Sequence, residues 1–231
     1  PLGIDGLETG PGGLTLSTDL TLASATFGGG PVVLDGGDLD VLGPSTVTGA
    51  TAFSGTGRWL AGGPVDVLAP GTSSVAVGLD NRERVTVRPG ATLLLGTAPE
   101  GPGAFTVEAG ATAAFAAGSV VDTSDPLQVD GAGTLSFGGD ARFRGGSAQF
   151  AGLLRVLPTG TVRFDTAEGT PGLFAFGAIE NGGALAFVDG VGVAADVRAP
   201  GALQSAGSLR FEGPGSGTFA VAGPVTSVPG A

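Results

Sequence analysis

The chain has no cysteine, histidine, methionine, tyrosine or lysine. Without cysteine there is no disulfide, and without cysteine and histidine there is no thiolate–imidazole metal centre. General acid–base chemistry would fall to Asp and Glu alone. Such a composition suits a long-lived, exposed protein with little to oxidise. Positive charge is scarce too: ten arginines stand against 21 acidic residues, for a net charge of −11. Binding to phosphate needs clustered cations, so neither nucleic acid nor an anionic membrane face is an expected partner, and the acidity serves solubility. No apolar run approaches the roughly 18 residues of a membrane span, so membrane insertion is not expected. The chain opens on Pro1 rather than Met, which points to a mature product or an excised fragment with any export signal out of view.

What is abundant is glycine, at 46 of 231 residues, together with 16 prolines. Such levels can signal disorder. Here 42% of the residues are hydrophobic and the mean hydropathy is positive, which supplies the apolar surface that disordered chains lack. The glycines therefore punctuate short apolar segments, the pattern of an all-β protein with many turns.

A phrase recurs along the chain. "VTVRPGATLLLG" (85–96) returns as "FTVEAGATAAFA" (105–116). Taking the small residue after each glycine turn as an anchor gives Thr46, Thr72, Thr92, Thr112, Thr134, Thr161, Ala184 and Ser208, at similar though unequal intervals. Five positions before these anchors stand Val41, Val67, Val87, Val107, Val129, Val156, Ile179 and Leu203, all aliphatic. Three positions after them, the last five residues are Phe115, Phe137, Phe164, Phe187 and Phe211. Offsets +1 and +3 share one face of a strand, and the residue between them (Arg163 and Arg210 in two repeats) faces water. Corners such as Pro89-Gly90-Ala91 separate the strands.

Hairpins have no reason to place one residue class at a fixed position in every repeat. Stacked coils do, because like side chains form interior ladders, each coil about 4.8 Å above the last. A propeller would want a considerably longer repeat. The expected fold is an all-β, right-handed parallel β-helix (β-solenoid) of about 8 to 10 coils, roughly 23 residues each. Residues 1–231 read as a single domain. Within it, 1–40 form irregular first coils or a cap, 41–212 the regular coils, and 213–231 a last coil, cap or docking strand. The segment "GGDARFRGGSAQF" (138–150) reads as an outward loop inserted between anchors.

"ENGGALAFVDG", "SAGSLRFEG" and "VEAGATAAFAAG" resemble repeats of bacterial surface β-helices, autotransporter passengers and filamentous-haemagglutinin-type adhesins among them. The resemblance covers roughly 41–212. It implies an exported protein at the cell surface, acting as stalk, adhesin, coat or filament building block, and it supplies no catalytic residue.

No catalytic activity is expected. Polygalacturonase-like sites carry adjacent aspartates, and this chain has no Asp-Asp pair. A lyase-like set could be drawn from Asp122 and Asp125 with Arg142 or Arg144, but such charges more commonly belong to solvated turns. The alternative function is a β-helix that binds or cleaves polysaccharide. Trp59, the only Trp, lies in "TGRWLAGG". In a loop its ring could stack on a sugar with Arg58 assisting, and the commoner role is to cap an apolar cluster. Asp35, Asp38 and Asp40 in "LDGGDLDVL" resemble a single calcium-roll repeat, a motif that gains meaning by tandem repetition. Calcium is therefore the one ion to consider, against plain solvation of these carboxylates. Arg88 and Glu108 share an offset on successive coils, so stacking would make them an exposed pair. The C-terminal "TFAVAGPVTSVPGA" carries no charge and caps poorly. Expected partners are thus a second copy, end to end, or a cell-surface glycan or protein.

Overall fold

Strict alternation of apolar and small polar residues over three to five positions, cut by Gly or Pro, produces short strands with one buried face. The computed structural model describes residues 2–227 apart from 5, 98–99, 102, 119, 124–127, 145–147, 166–171, 189–194, 200–201, 213–217 and 222. Among the described residues every regular element is a strand, and no helix is present. The strands pair in parallel as a β-solenoid, as the repeat predicts. They fall into two compact units, Pro1–Ala113 and Ala114–Ala231.

In the first unit each coil passes through three columns of parallel strands. One column holds Leu2–Ile4, Leu20–Leu22, Leu39–Val41, Arg58–Ala61 and Gly78–Asn81. The second holds Leu7–Thr9, Ala25–Phe27, Ser45–Val47, Val65–Val67, Arg84–Val87 and Ala104–Val107. The third holds Leu14–Leu16, Gly30–Leu34, Thr51–Gly55, Gly71–Val75 and Ala91–Leu95. Regular coils thus begin at Leu2, where the sequence suggests an irregular start. The coil step is short and even: Leu2 is opposite Leu20, Leu39 opposite Trp59, and Gly71 opposite Ala91.

The inward positions match the predicted face. Val67, Val87 and Val107 are opposite one another and fully buried. Thr72 is opposite Thr92, with Ser73, Leu93, Val75 and Leu95 turned inward. The Pro89-Gly90 corner is a tight turn in which the Ala91 N–H donates to the Arg88 carbonyl at 3.0 Å. Gly90 takes φ +82 there, a region that other residues resist. One aromatic cluster interrupts the aliphatic interior: Trp59 stacks on Phe53 at 4.4 Å, and Phe27 meets both edge-on. Each such buried side chain contributes about 1.5–3 kcal/mol by leaving water.

In the second unit one column runs Val120–Thr123, Asp140–Arg144, Thr161–Asp165, Ala184–Val188 and Ser208–Glu212. Thr161, Ala184 and Ser208 are opposite one another, as the anchors predict. Phe164, Phe187 and Phe211 form a stacked row with centroids 5.4 and 5.6 Å apart. Phe115 and Phe137 stack at 4.8 Å. Another column contains the long strands Ala148–Val156 and Gly172–Asn181. Their pairing slips between Phe150 and Leu153, so that Ala151 and Gly152 together face Gly177. This β-bulge bends the strand around a corner. Coil steps here are less even and mostly wider: Thr134 is opposite Leu153, whereas Ala148 is opposite Phe174 and Ala184 opposite Ser208.

Three features differ from the repeat as read in sequence. Thr46 lies in the second column opposite Thr26 and Asp66, not opposite Thr72. Thr134 is opposite Leu153, and Ile179 is opposite Leu154 rather than Val156. The "GGDARFRGGSAQF" segment supplies two strands instead of an outward loop, with Ala141 buried. Thr46, Thr134 and the 138–150 segment share a cause: columns within a coil carry the same alternation, so an anchor that suits one column also suits its neighbour. Ile179 is displaced because the corner from Val156 to Thr161 is two residues longer than the corner from Asn181 to Ala184.

Candidate functional site

Trp59 does not occupy a loop. Gly57 lets the chain pass the preceding coil closely, and the strand Arg58–Ala61 then points the indole inward, leaving it 2% exposed. The ring is engaged by the Phe27–Phe53 cluster, so it offers no sugar platform. Arg58 is next to it in sequence and on the opposite face. Its guanidinium pairs with Glu100, two coils on, and its backbone N–H donates to Asp38 Oδ1 at 2.8 Å. The arginine lies across Gly78, whose missing side chain leaves room for it.

Asp35, Asp38 and Asp40 do not converge. Asp38 accepts from Arg58 and its own N–H donates to Asp19 Oδ1 at 3.0 Å, so this pair of aspartates caps strand starts in successive coils. Asp35 is exposed at a turn. Asp40 stands mid-strand opposite Thr21 and Leu60, and its Oδ1 is buried without a hydrogen-bond partner among the described residues. Among the described residues no three carboxylates are grouped to hold a metal ion. The calcium expectation therefore has no geometric support at these positions. Strand alternation turns Asp40 outward while Asp38 is engaged with backbone.

The Arg88–Glu108 pair is present, at 2.6 Å, and Arg88 also binds Asp66 at 2.7 Å. Hydrogen bonds from the guanidinium, to Asp66 first and Glu108 second, raise the Arg88 pKa above its ordinary value. Of the lyase-like set, Asp125 lies outside the described residues, as do the side chains of Asp122 and Arg144. Arg142 is engaged with Asp165. Asp165 also receives Arg163, which reaches past Ala186 to Glu212, two coils away, at 3.2 Å. These are braces between coils.

A different place has the shape of a site. In the second unit a groove of about 250 Å3 follows one corner across three coils. One wall is an outward row: Arg155 is opposite Glu180, and Glu180 is opposite Gln204. The other wall is the Leu157-Pro158 corner, with Leu157 40% exposed. Small residues, Gly182 and Ala206, keep the later corners low. The floor is held by Asn181, buried, whose Nδ2 donates to the Ser208 carbonyl at 2.8 Å and to Ser205 Oγ at 3.3 Å. Arg155 Nε donates to Glu180 Oε2 at 2.7 Å. That single contact leaves guanidinium N–H groups and carboxylate lone pairs to spare in the same wall, so donors and acceptors are presented together. Sequence reasoning misses this row because aligning Val156 with Ile179 sets Arg155 and Glu180 apart. The usable signal was a polar residue between apolar or small ones in "LRV", "IEN" and "LQS".

No family model, curated protein or solved structure matches the chain.

Proposed function

We propose that the protein is a passive structural or adhesive β-solenoid of the cell exterior, serving as a stalk, coat or filament building block. The observation that carries this proposal is the in-register stacking of like buried residues from coil to coil, Val67, Val87 and Val107 or Phe164 and Phe187. Such stacking invests the sequence in a continuous interior and in coil-to-coil braces. The resemblance to bacterial surface repeats supports the location. End-to-end self-association is part of the proposal, since strand edges template further strands. Protease treatment of intact producing cells should release peptides of this chain, and size-exclusion with negative-stain imaging should find assemblies that grow with concentration. Peptides released only after lysis, or a monomer at every concentration, would overturn it.

Polysaccharide recognition is the second proposal, favoured by the polar groove beside Leu157. Turnover of a polysaccharide in a reducing-sugar assay would replace both with an enzyme.

A further inference from the structure

We infer that the corner groove binds a neutral glycan, with Arg155 and Glu180 together gripping a pair of adjacent sugar hydroxyls. This rests on the adhesive form of the proposed function and gives it a site. The chemistry follows from the pair. Arg155 is donor-only and Glu180 acceptor-only, and one contact between them leaves each with spare capacity in the groove wall. A vicinal diol is the matching ligand: one hydroxyl accepts from the guanidinium while its neighbour donates to the carboxylate. Gln204, exposed one coil further, adds an amide that can do both. The spacing between these coils, about 4.8 Å, is close to the advance of a sugar chain per residue. A second sugar can thus meet Gln204 while the first meets the pair.

The opposite wall completes the selection. Leu157 and Pro158 present aliphatic surface to the C–H face of a pyranose. The floor does not compete for the ligand: Asn181 Nδ2 and Ser205 Oγ are tied to the next corner, the latter donating to the Gly207 carbonyl at 3.1 Å, and Asn181 Oδ1, without a partner among the described residues, is buried out of reach. Charge decides against an acidic glycan. Arg155 is already neutralised by Glu180, and the chain carries a net charge of −11. A uronate would add like charge with no second cation among the described residues of the groove to receive it.

The test uses the full chain and saturation-transfer NMR with cellopentaose, maltopentaose and mannopentaose, with trigalacturonate as the acidic comparator. Arg155→Gln and Glu180→Gln probe the pair, and Arg88→Gln serves as a remote control. The expected result is binding of at least one neutral pentasaccharide in preference to trigalacturonate. Either groove substitution should weaken it about tenfold, as loss of a charged hydrogen bond does. Arg88→Gln should leave it unchanged. Circular dichroism of each variant checks that the fold is retained. Neutral binding that survives both groove substitutions would overturn the groove and keep the adhesive proposal. Preference for trigalacturonate, or no binding of any probe, would overturn the glycan inference and leave only the stalk or coat role.

Discussion

The two units solve the same stacking problem with different interiors. In the first unit the coils are short and enclose mainly Val, Leu and Ala, with rings concentrated at Phe27, Phe53 and Trp59. In the second unit most coils are longer, and Phe137, Phe150, Phe164, Phe174, Phe176 and Phe187 are all fully buried. A longer coil surrounds a wider interior, and interiors must be filled to the density of a crystal. Phenylalanine is how the second unit fills it. The lesson is that coil length and side-chain size vary together, while the parallel pairing of neighbouring coils is kept.

The contrast can be broken most severely at the aromatic rows. Phe164→Ala removes a ring that touches Phe174, Phe176 and Phe187, and should cost about 3–5 kcal/mol in denaturant unfolding followed by circular dichroism. Val85→Ala in the narrower unit removes far less volume and should cost well under half as much. Equal losses would mean that ring filling does not distinguish the units.

Corners come next. In the second unit Gly160, Gly183 and Gly207 follow one another up a corner, and a Cβ on Gly183 would lie 2.2 Å from the Gly160 carbonyl oxygen. Gly183→Ala must shift backbone and should cost about 2 kcal/mol or more. At Gly90 a Cβ meets nothing within 4 Å, and only the φ of +82 opposes it, so Gly90→Ala should cost about 1–2 kcal/mol. Denaturant midpoints would rank the two, and the reverse order would sink the close-approach argument.

The smallest effects belong to the arginines that step over a coil. Arg58 reaches Glu100 across Gly78, and Arg163 reaches Glu212 across Ala186. Arg58→Gln and Arg163→Gln should each cost about 0–1 kcal/mol, less in high salt. The Arg88 brace behaves differently with pH. Its raised pKa means that the arginine side of its contribution is complete below the ordinary arginine value and is lost only as pH climbs past it. Alkaline titration across ordinary buffers should therefore leave stability unmoved through Arg88, and Arg88→Gln should not alter the slope of stability against pH there.

Much of this architecture was legible from residues. The parallel stack, the inward faces at Leu93, Leu95, Leu185 and Phe187, the Pro89-Gly90 turn and the Arg88–Glu108 pair all follow from alternation and repeat offset. Register at Thr46 and Thr134 was not, because a short strand such as Ser45–Val47 has the same pattern as strands in the adjoining columns. The candidate site suffered from the same ambiguity. Trp59 reads as available because the glycine before it hides its strand, and Arg155 stays apart from Glu180 because the corner from Val156 to Thr161 is two residues longer than the corner from Asn181 to Ala184. A change in corner length leaves no mark in the alternation on either side of it.

Register is where the stack is tested most directly, and the absence of native cysteine makes the test clean. Thr46→Cys combined with Asp66→Cys places two thiols on directly opposite residues of neighbouring parallel strands, within the Cα separation a disulfide tolerates. Thr46→Cys combined with Thr72→Cys places them in different columns. Under mild oxidation the first pair should close to a disulfide, seen by mass spectrometry of the unreduced chain, and the second should remain free. Closure of the second pair without the first would contradict the stack as described.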